Sequence, residues 1–305
     1  MRAVSARSAV RRRARRGVAL AELLVASTVA LALVTLAASV LAATRRHAAR
    51  LDARRLARAQ LAQGAAVLRA ELRAASGDGT APEGSDVRMA RDTAIELRVP
   101  VGGAVACAGT GGTVLELPAA SRDGAPPFAT WADAPQPGDV AMVHDVGVQP
   151  GADDDAWHAR TVTGVEAGEC RTGPFAGAAR ADAPRHRLRL DAALPLTVRE
   201  GAPVRVLRWR RYALYRSGDG EWMLGQRGWE GTAPAPPQPT AGPFADAAGG
   251  LAVRAVDGAG SPVTTPAAAV VEAVHATLRA ERRATGERWT DSTELAIRLR
   301  GTRPW

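Results

Sequence analysis

The chain contains no Lys and no Asn, so all 40 of its basic side chains are Arg, and it holds only two Cys, two Tyr and three Phe in 305 residues. With Ala, Gly and Pro abundant as well, this is the skew that genomic base composition produces, and Arg richness is discounted as a functional signal. The two cysteines, Cys107 and Cys170, belong to no CxxC pair and have no His cluster beside them, which excludes zinc-ribbon and thioredoxin-type sites. They are read as a disulfide formed in an oxidising compartment, with two reduced, buried thiols as the other reading. GxSxG, HExxH and P-loop signatures are missing, and no GxGxxG joins a strand to a helix. His47, His144, His158, His186 and His275 are scattered. The expectation is a protein that is not an enzyme and has no resident cofactor or metal.

The formal charge of +9 raises nucleic acid or an anionic surface as a partner. Its location changes that reading. Seven Arg and no acid lie in the first 17 residues, so a chain starting at Val18 keeps 33 Arg against 31 Asp plus Glu, about +2.

From residue 18 to 43 there are 26 residues with a single charge, Glu22. As a helix they extend about 39 Å, enough to cross a hydrocarbon core of about 30 Å. A cleaved secretory signal has a shorter apolar region and carries no carboxylate there, although the small residues around 40–42 keep that alternative open. A carboxylate in such a run costs about 2–3 kcal/mol near the bilayer centre and less near the interface, so it needs a partner or must snorkel to the headgroups.

The segment Arg15-Arg16-Gly17-Val18-Ala19-Leu20-Ala21-Glu22-Leu23-Leu24 resembles the type IV prepilin signal: a basic leader, Gly before the scissile bond, Glu at the fifth mature position and an apolar run. The family usually has Phe where Val18 stands. The resemblance implies cleavage between Gly17 and Val18 by a prepilin peptidase, N-methylation of Val18, and Glu22 as the assembly carboxylate. After that cut the new amine of Val18 stands four residues before Glu22, one helical turn away on the same face. The carboxylate can then pair with its own amine or with that of a neighbouring subunit. The implied partners are other major and minor pilins or pseudopilins, an inner-membrane assembly platform and membrane lipid. The implied location is the bacterial inner membrane, single-pass with the C-terminal part periplasmic, and then a pilus or pseudopilus.

No Gly or Pro interrupts residues 18–63, and helix formers continue to about residue 75, which predicts a stem over 44–75 continuous with the membrane helix. Leu61, Ala65, Leu68 and Leu72 fall at i, i+4, i+7 and i+11, a stripe that predicts docking on a sheet. The remainder, 76–305, reads as short strands between Gly and Pro clusters. Candidates are 94–99, 113–117, 140–146, 159–165, 187–190, 204–215, 221–224, 251–256, 270–278 and 295–299. The fold class is α+β, a long N-terminal transmembrane and stem helix packed on an antiparallel β-rich domain. Ser217-Gly218-Asp219-Gly220 predicts a hairpin turn, and the Pro-rich 232–243 an irregular surface loop. These C-terminal segments, with Glu71-Leu72-Arg73 at the helix end, resemble W-type minor pilins and J-type minor pseudopilins. That resemblance implies a subunit at or near the tip of a type IV pilus or type II secretion pseudopilus.

Two surface patterns invite other functions. Asp153-Asp154-Asp155 supplies hard oxygen ligands but lacks EF-hand spacing, and is read as a solvated acidic loop. Trp209, Tyr212, Tyr215, Trp222 and Trp229 lie near Arg205, Arg208, Arg210 and Arg211. They support the alternative of a membrane-anchored nucleic-acid- or ligand-binding protein with an uncleaved helix. At alternating strand spacing they are read first as core and rim residues.

Overall fold

Ala, Leu and Arg dominate the N-terminal quarter, and they form one continuous helix, α1 (Ser5–Ala74). A computed structural model describes residues 5–76, 85–107, 111–120, 128–148, 155–168, 170, 173–176, 183–230, 233–246, 248–266 and 269–300, the side chains of 5–19, 230 and 233 excepted. The helix begins upstream of the predicted residue 18. Residues 5–17 are built from the same helix formers as the apolar run, and one internal glycine, Gly17, costs only about 1 kcal/mol. Contacts divide the chain into two units, Met1–Leu56 with Arg282–Trp289, and Ala57–Glu281 with Thr290–Trp305.

The rest of the described chain is strand and connection: β1 (Val87–Asp92), β2 (Ala94–Val105), β3 (Val114–Glu116), β4 (Ala129–Trp131), β5 (Val140–Asp145), β6 (Ala156–Glu166), β7 (Arg187–Leu190) and β8 (Pro203–Arg216), followed by β9 (Trp222–Arg227), β10 (Trp229–Glu230), β11 (Ala233–Pro234), β12 (Gln238–Phe244), β13 (Leu251–Val256), β14 (Ala273–Ala284) and β15 (Glu287–Arg298). The main sheet runs β15-β14-β13-β1-β2-β8-β5-β6-β7-β3, with β9 and then β12 branching from β8 and β4 pairing β2. Every described strand pair is antiparallel. The fold is α+β, one long N-terminal helix and a C-terminal antiparallel sheet domain.

Two cores arise from this layout. In the first, Leu61, Ala65, Leu68 and Leu72 of α1 are buried with Ile95, Leu97 and Tyr212 of β2 and β8 and with Leu251, Leu278, Leu295 and Ile297. The apolar stripe at helical spacing therefore docks on the sheet. Gly64 sits in the same face: a Cβ there would lie 2.8 Å from the Phe244 ring, so the helix backbone approaches the sheet where a side chain would hold it off. Tyr212 is fully buried and donates to Gln226 Oε1 at 3.2 Å. Its own burial, and the Glu71 carboxylate on the helix, raise its phenol pKa. The second core joins Val101, Leu115, Leu117, Val143, Val162, Leu188, Val204 and Val206, with no α1 residue among its described members.

The expected hairpin is present: Arg216 pairs with Trp222 across Ser217–Gly220, and Gly220 has φ +87°. The Pro-rich 232–243 is not an irregular loop. β12 pairs β9 through most of it, with register shifts around Ala241, and β10–β11 form a short ribbon just before. A proline lacks the N–H of a central strand but is tolerated at an edge, and among the described strands β12 pairs β9 alone.

Candidate functional site

Among the described residues, none covers the apolar run. From Leu20 to Leu41 every large apolar side chain is exposed, Leu23 at 72% and Val40 at 55%, and α1 there is long and apolar enough to cross a membrane. A soluble protein would bury such a surface, so the helix is suited to lipid or to other helices. The hydroxyls of the run agree with this. Ser27, Thr28, Thr35 and Ser39 each donate back to the carbonyl three residues earlier, at 2.9, 2.8, 2.9 and 2.7 Å. No side-chain donor in the run is left to seek water, which hydrocarbon demands. Sequence reading passed over these four residues, although Ser and Thr inside an apolar helix are the signal for it.

Glu22 is exposed on this surface and meets no cation among the described residues. Ala21, Val25 and Ala26 around it leave a shallow apolar depression beside the carboxylate. Gly17 and Val18 lie within α1, one turn ahead of Glu22. The segment thus presents one unpaired carboxylate, ringed by small side chains, on an otherwise apolar rod. Such a surface accepts a cation delivered by a neighbour that packs alongside.

In the sheet unit, the aromatic and arginine residues that suggested a contact face are largely committed to one another. Arg208 is buried; its Nε donates to Asp139 Oδ1 at 2.7 Å, its Nη2 to Asp139 Oδ2 at 2.9 Å and its Nη1 to Asp133 Oδ2 at 2.6 Å. Burial alone lowers a guanidinium pKa, but the hydrogen bonds and charges of Asp139 and Asp133 outweigh it and raise the value. The Arg88 guanidinium lies 4.7 Å from the Trp209 ring centre and 5.3 Å from that of Trp229, and Arg98 lies 5.2 Å from Trp209. Arg88 also pairs with Glu96, and Arg98 with Asp86 at 2.7 Å. Trp209 and Trp229 thus each carry an arginine of their own chain, and Tyr212 is buried.

A groove of about 810 Å³ runs beside Pro100–Gly103 of β2, with Trp131, Met142, Trp157, Arg205, Leu207 and Arg300 among its walls. Gly102 lets Trp131 lie against the strand, since a Cβ there would come 2.2 Å from the ring and 2.6 Å from the Thr130 carbonyl oxygen. Arg205 stacks on Trp157 at 4.9 Å.

Cys107 and Cys170 are joined as a disulfide with Cα atoms 5.4 Å apart. Asp145 Oδ2 accepts from the Thr197 hydroxyl and lies 3.2 Å from His158 Nε2, while Oδ1 accepts from the Gly147 N–H. Burial raises this carboxyl's pKa, but those hydrogen bonds prevail and lower it. His47, His144 and His275 stand apart from this arrangement. Asp153 and Asp154 lie outside the described residues, and Asp155 is exposed. Among the described residues no three His, Cys, Asp or Glu side chains group as a metal site. Compared with models of protein families, with curated proteins and with solved structures, the chain matches none of them.

Proposed function

We propose that this chain is a minor pilin or pseudopilin, a non-enzymatic subunit made as a precursor, cut between Gly17 and Val18, and assembled through α1 at or near the tip of a short envelope filament. The observation that carries this reading is Glu22: a lone carboxylate on an uncovered apolar helix, four residues after the position where the prepilin-like cut would create an amine. In a bilayer the charge is costly. Beside a terminal ammonium, its own or a packed neighbour's, the pair neutralises, and the apolar surface from Leu20 to Leu41 packs helix on helix. The β-rich unit then stands outside the membrane. An oxidising periplasm suits the Cys107–Cys170 bridge.

Intact mass and N-terminal sequencing of the membrane-extracted protein test the reading. The expected chain begins at methylated Val18. A chain beginning at Met1 would mean a plain anchor, and one beginning near residue 43 a secreted domain; either outcome rejects the proposal. Glu22→Ala is expected to be cut normally yet to be lost from sheared filaments, and normal incorporation would remove the carboxylate's role in register.

A further inference from the structure

A run of Arg succeeds the apolar helix in sequence: Arg45, Arg46, Arg50, Arg54 and Arg55 lie before residue 57. The fold brings more. The tip of the β14–β15 hairpin, more than 230 residues later, packs on the same turns of helix. Arg50 Nη2 donates to Glu287 Oε1 at 2.6 Å, and the Arg54 guanidinium sits 3.7 Å from the centre of the Trp289 ring. That tip carries Arg282, Arg283 and Arg288. Residues 44–56 and 282–289, which belong to one unit, therefore gather eight Arg against two carboxylates, Asp52 and Glu287. Asp52 lies 3.8 Å from Arg55 and Glu287 is taken by Arg50. Arg45 and Arg46 have no carboxylate partner among the described residues.

Arg282, Arg283 and Arg288 have partners within the chain and Glu281 adjoins the tip, so the excess is one of net charge, and depth decides what it meets. At 1.5 Å per residue, Arg45 and Arg46 lie about 3–5 Å past the end of the apolar run, Arg50 about 10 Å and Arg54 about 16 Å. The polar interface of a bilayer adds roughly 5–7 Å to each side of the hydrocarbon, and electrostatic reach in physiological salt is about 8 Å beyond that.

We propose that the helix exit and the hairpin tip together form a basic collar that binds the anionic headgroups of phospholipids in the leaflet from which α1 emerges. Arg45 and Arg46 act at headgroup depth, and Arg283 and Arg288 of the tip extend the attraction around the helix. The collar requires only that α1 crosses a bilayer. Cleavage and filament assembly can fail while it stands, and the reverse.

The test uses the full chain reconstituted in phosphatidylcholine vesicles containing phosphatidylglycerol, with spin-labelled forms of the two lipids reporting which is held at the protein. Each Arg near an anionic surface contributes about 1 kcal/mol, roughly fivefold, before screening. The wild type is expected to prefer phosphatidylglycerol severalfold, and the preference to fall as salt rises. Arg45→Gln/Arg46→Gln and, separately, Arg283→Gln/Arg288→Gln are each expected to lower it by about twofold or more. Arg199→Gln/Arg254→Gln, an equal loss of charge on the sheet unit, should leave it unchanged. The leader's arginines are the same in all these proteins and cancel in the comparison. No preference in the wild type overturns the proposal, as does a tip pair without effect, which would reduce the collar to two isolated arginines. Unchanged circular dichroism and melting of the four proteins establishes that folding is not what differs.

Discussion

Arg208 joins an exposed carboxylate, Asp133, to a buried one, Asp139, which at 1% exposure has little water to turn to. Removing the cation alone leaves that charge stranded, so Arg208→Met is expected to lower unfolding stability by about 3–5 kcal/mol, measured in urea on the detergent-solubilised chain. Arg208→Met/Asp139→Leu should recover much of the loss, because the pair as a whole repays little more than its desolvation. Asp145 sets a pH dependence. Its folded pKa lies below the unfolded value of about 3.8, so its contribution is complete above that pH and is lost as pH falls through the lower folded value. Thr197→Val removes one of the bonds that hold the pKa down. Its deficit against wild type, about 1–2 kcal/mol, should be widest above pH ~4 and close in more acid urea melts. Neither arrangement was legible in the sequence. Asp139 and Arg208, like Asp145 and Thr197, meet only because β5, β6 and β8 pair. The arginines near Trp209 looked like a surface when their partners, 69 and 75 residues away, were out of view.

At the scale of elements, what the sequence showed best was periodicity. Leu61, Ala65, Leu68 and Leu72 predicted a docked face and all four are buried. Leu72→Ala, at 1% exposure, is expected to cost about 2–5 kcal/mol in the same urea assay, whereas Leu51→Ala, on the exposed side of the helix, should change stability by less than about 0.5 kcal/mol. β7 and β13 were predicted at their observed bounds. β2 was read only to residue 99, though it continues to Val105, because Gly102-Gly103 looks like an ending. Both glycines pair with β4 and β8, and Gly102 is needed for the approach of Trp131, none of which local sequence contains. β1 was missed because Val87–Asp92 has few apolar residues. Its turn uses Asp92 at φ +48°, a conformation Asp tolerates, without the Gly that marks a hairpin in sequence. β12 was hidden by prolines that an edge strand accepts.

For the whole molecule, the division between a rod that avoids water and a sheet that buries its own core was legible from composition alone. On the proposed cut, loss of the seven Arg of residues 1–17 would leave about +2, so net charge is not what would hold the cut chain at a membrane; the uncovered helix is. Alkaline carbonate washing of membranes should therefore leave the protein in the pellet, with release only by detergent. Release by carbonate would mean peripheral attachment and would count against a spanning helix.

The first core also fixes an order of events in time. It contains Ala57 and Leu61 together with Leu295, Ile297 and Leu299, so its earliest and latest members are separated by almost the whole length of the sheet unit. A chain crossing the membrane as it is synthesised delivers α1 to the bilayer long before β15 appears. Until then the stem's leucines and the early strands have no finished surface to meet, and long-range pairing of this kind is slow. Where α1 enters a bilayer, the interval between its insertion and the closure of the sheet is thus the period in which this apolar surface lies open, and a chain that stops short of residue 295 cannot complete the first core.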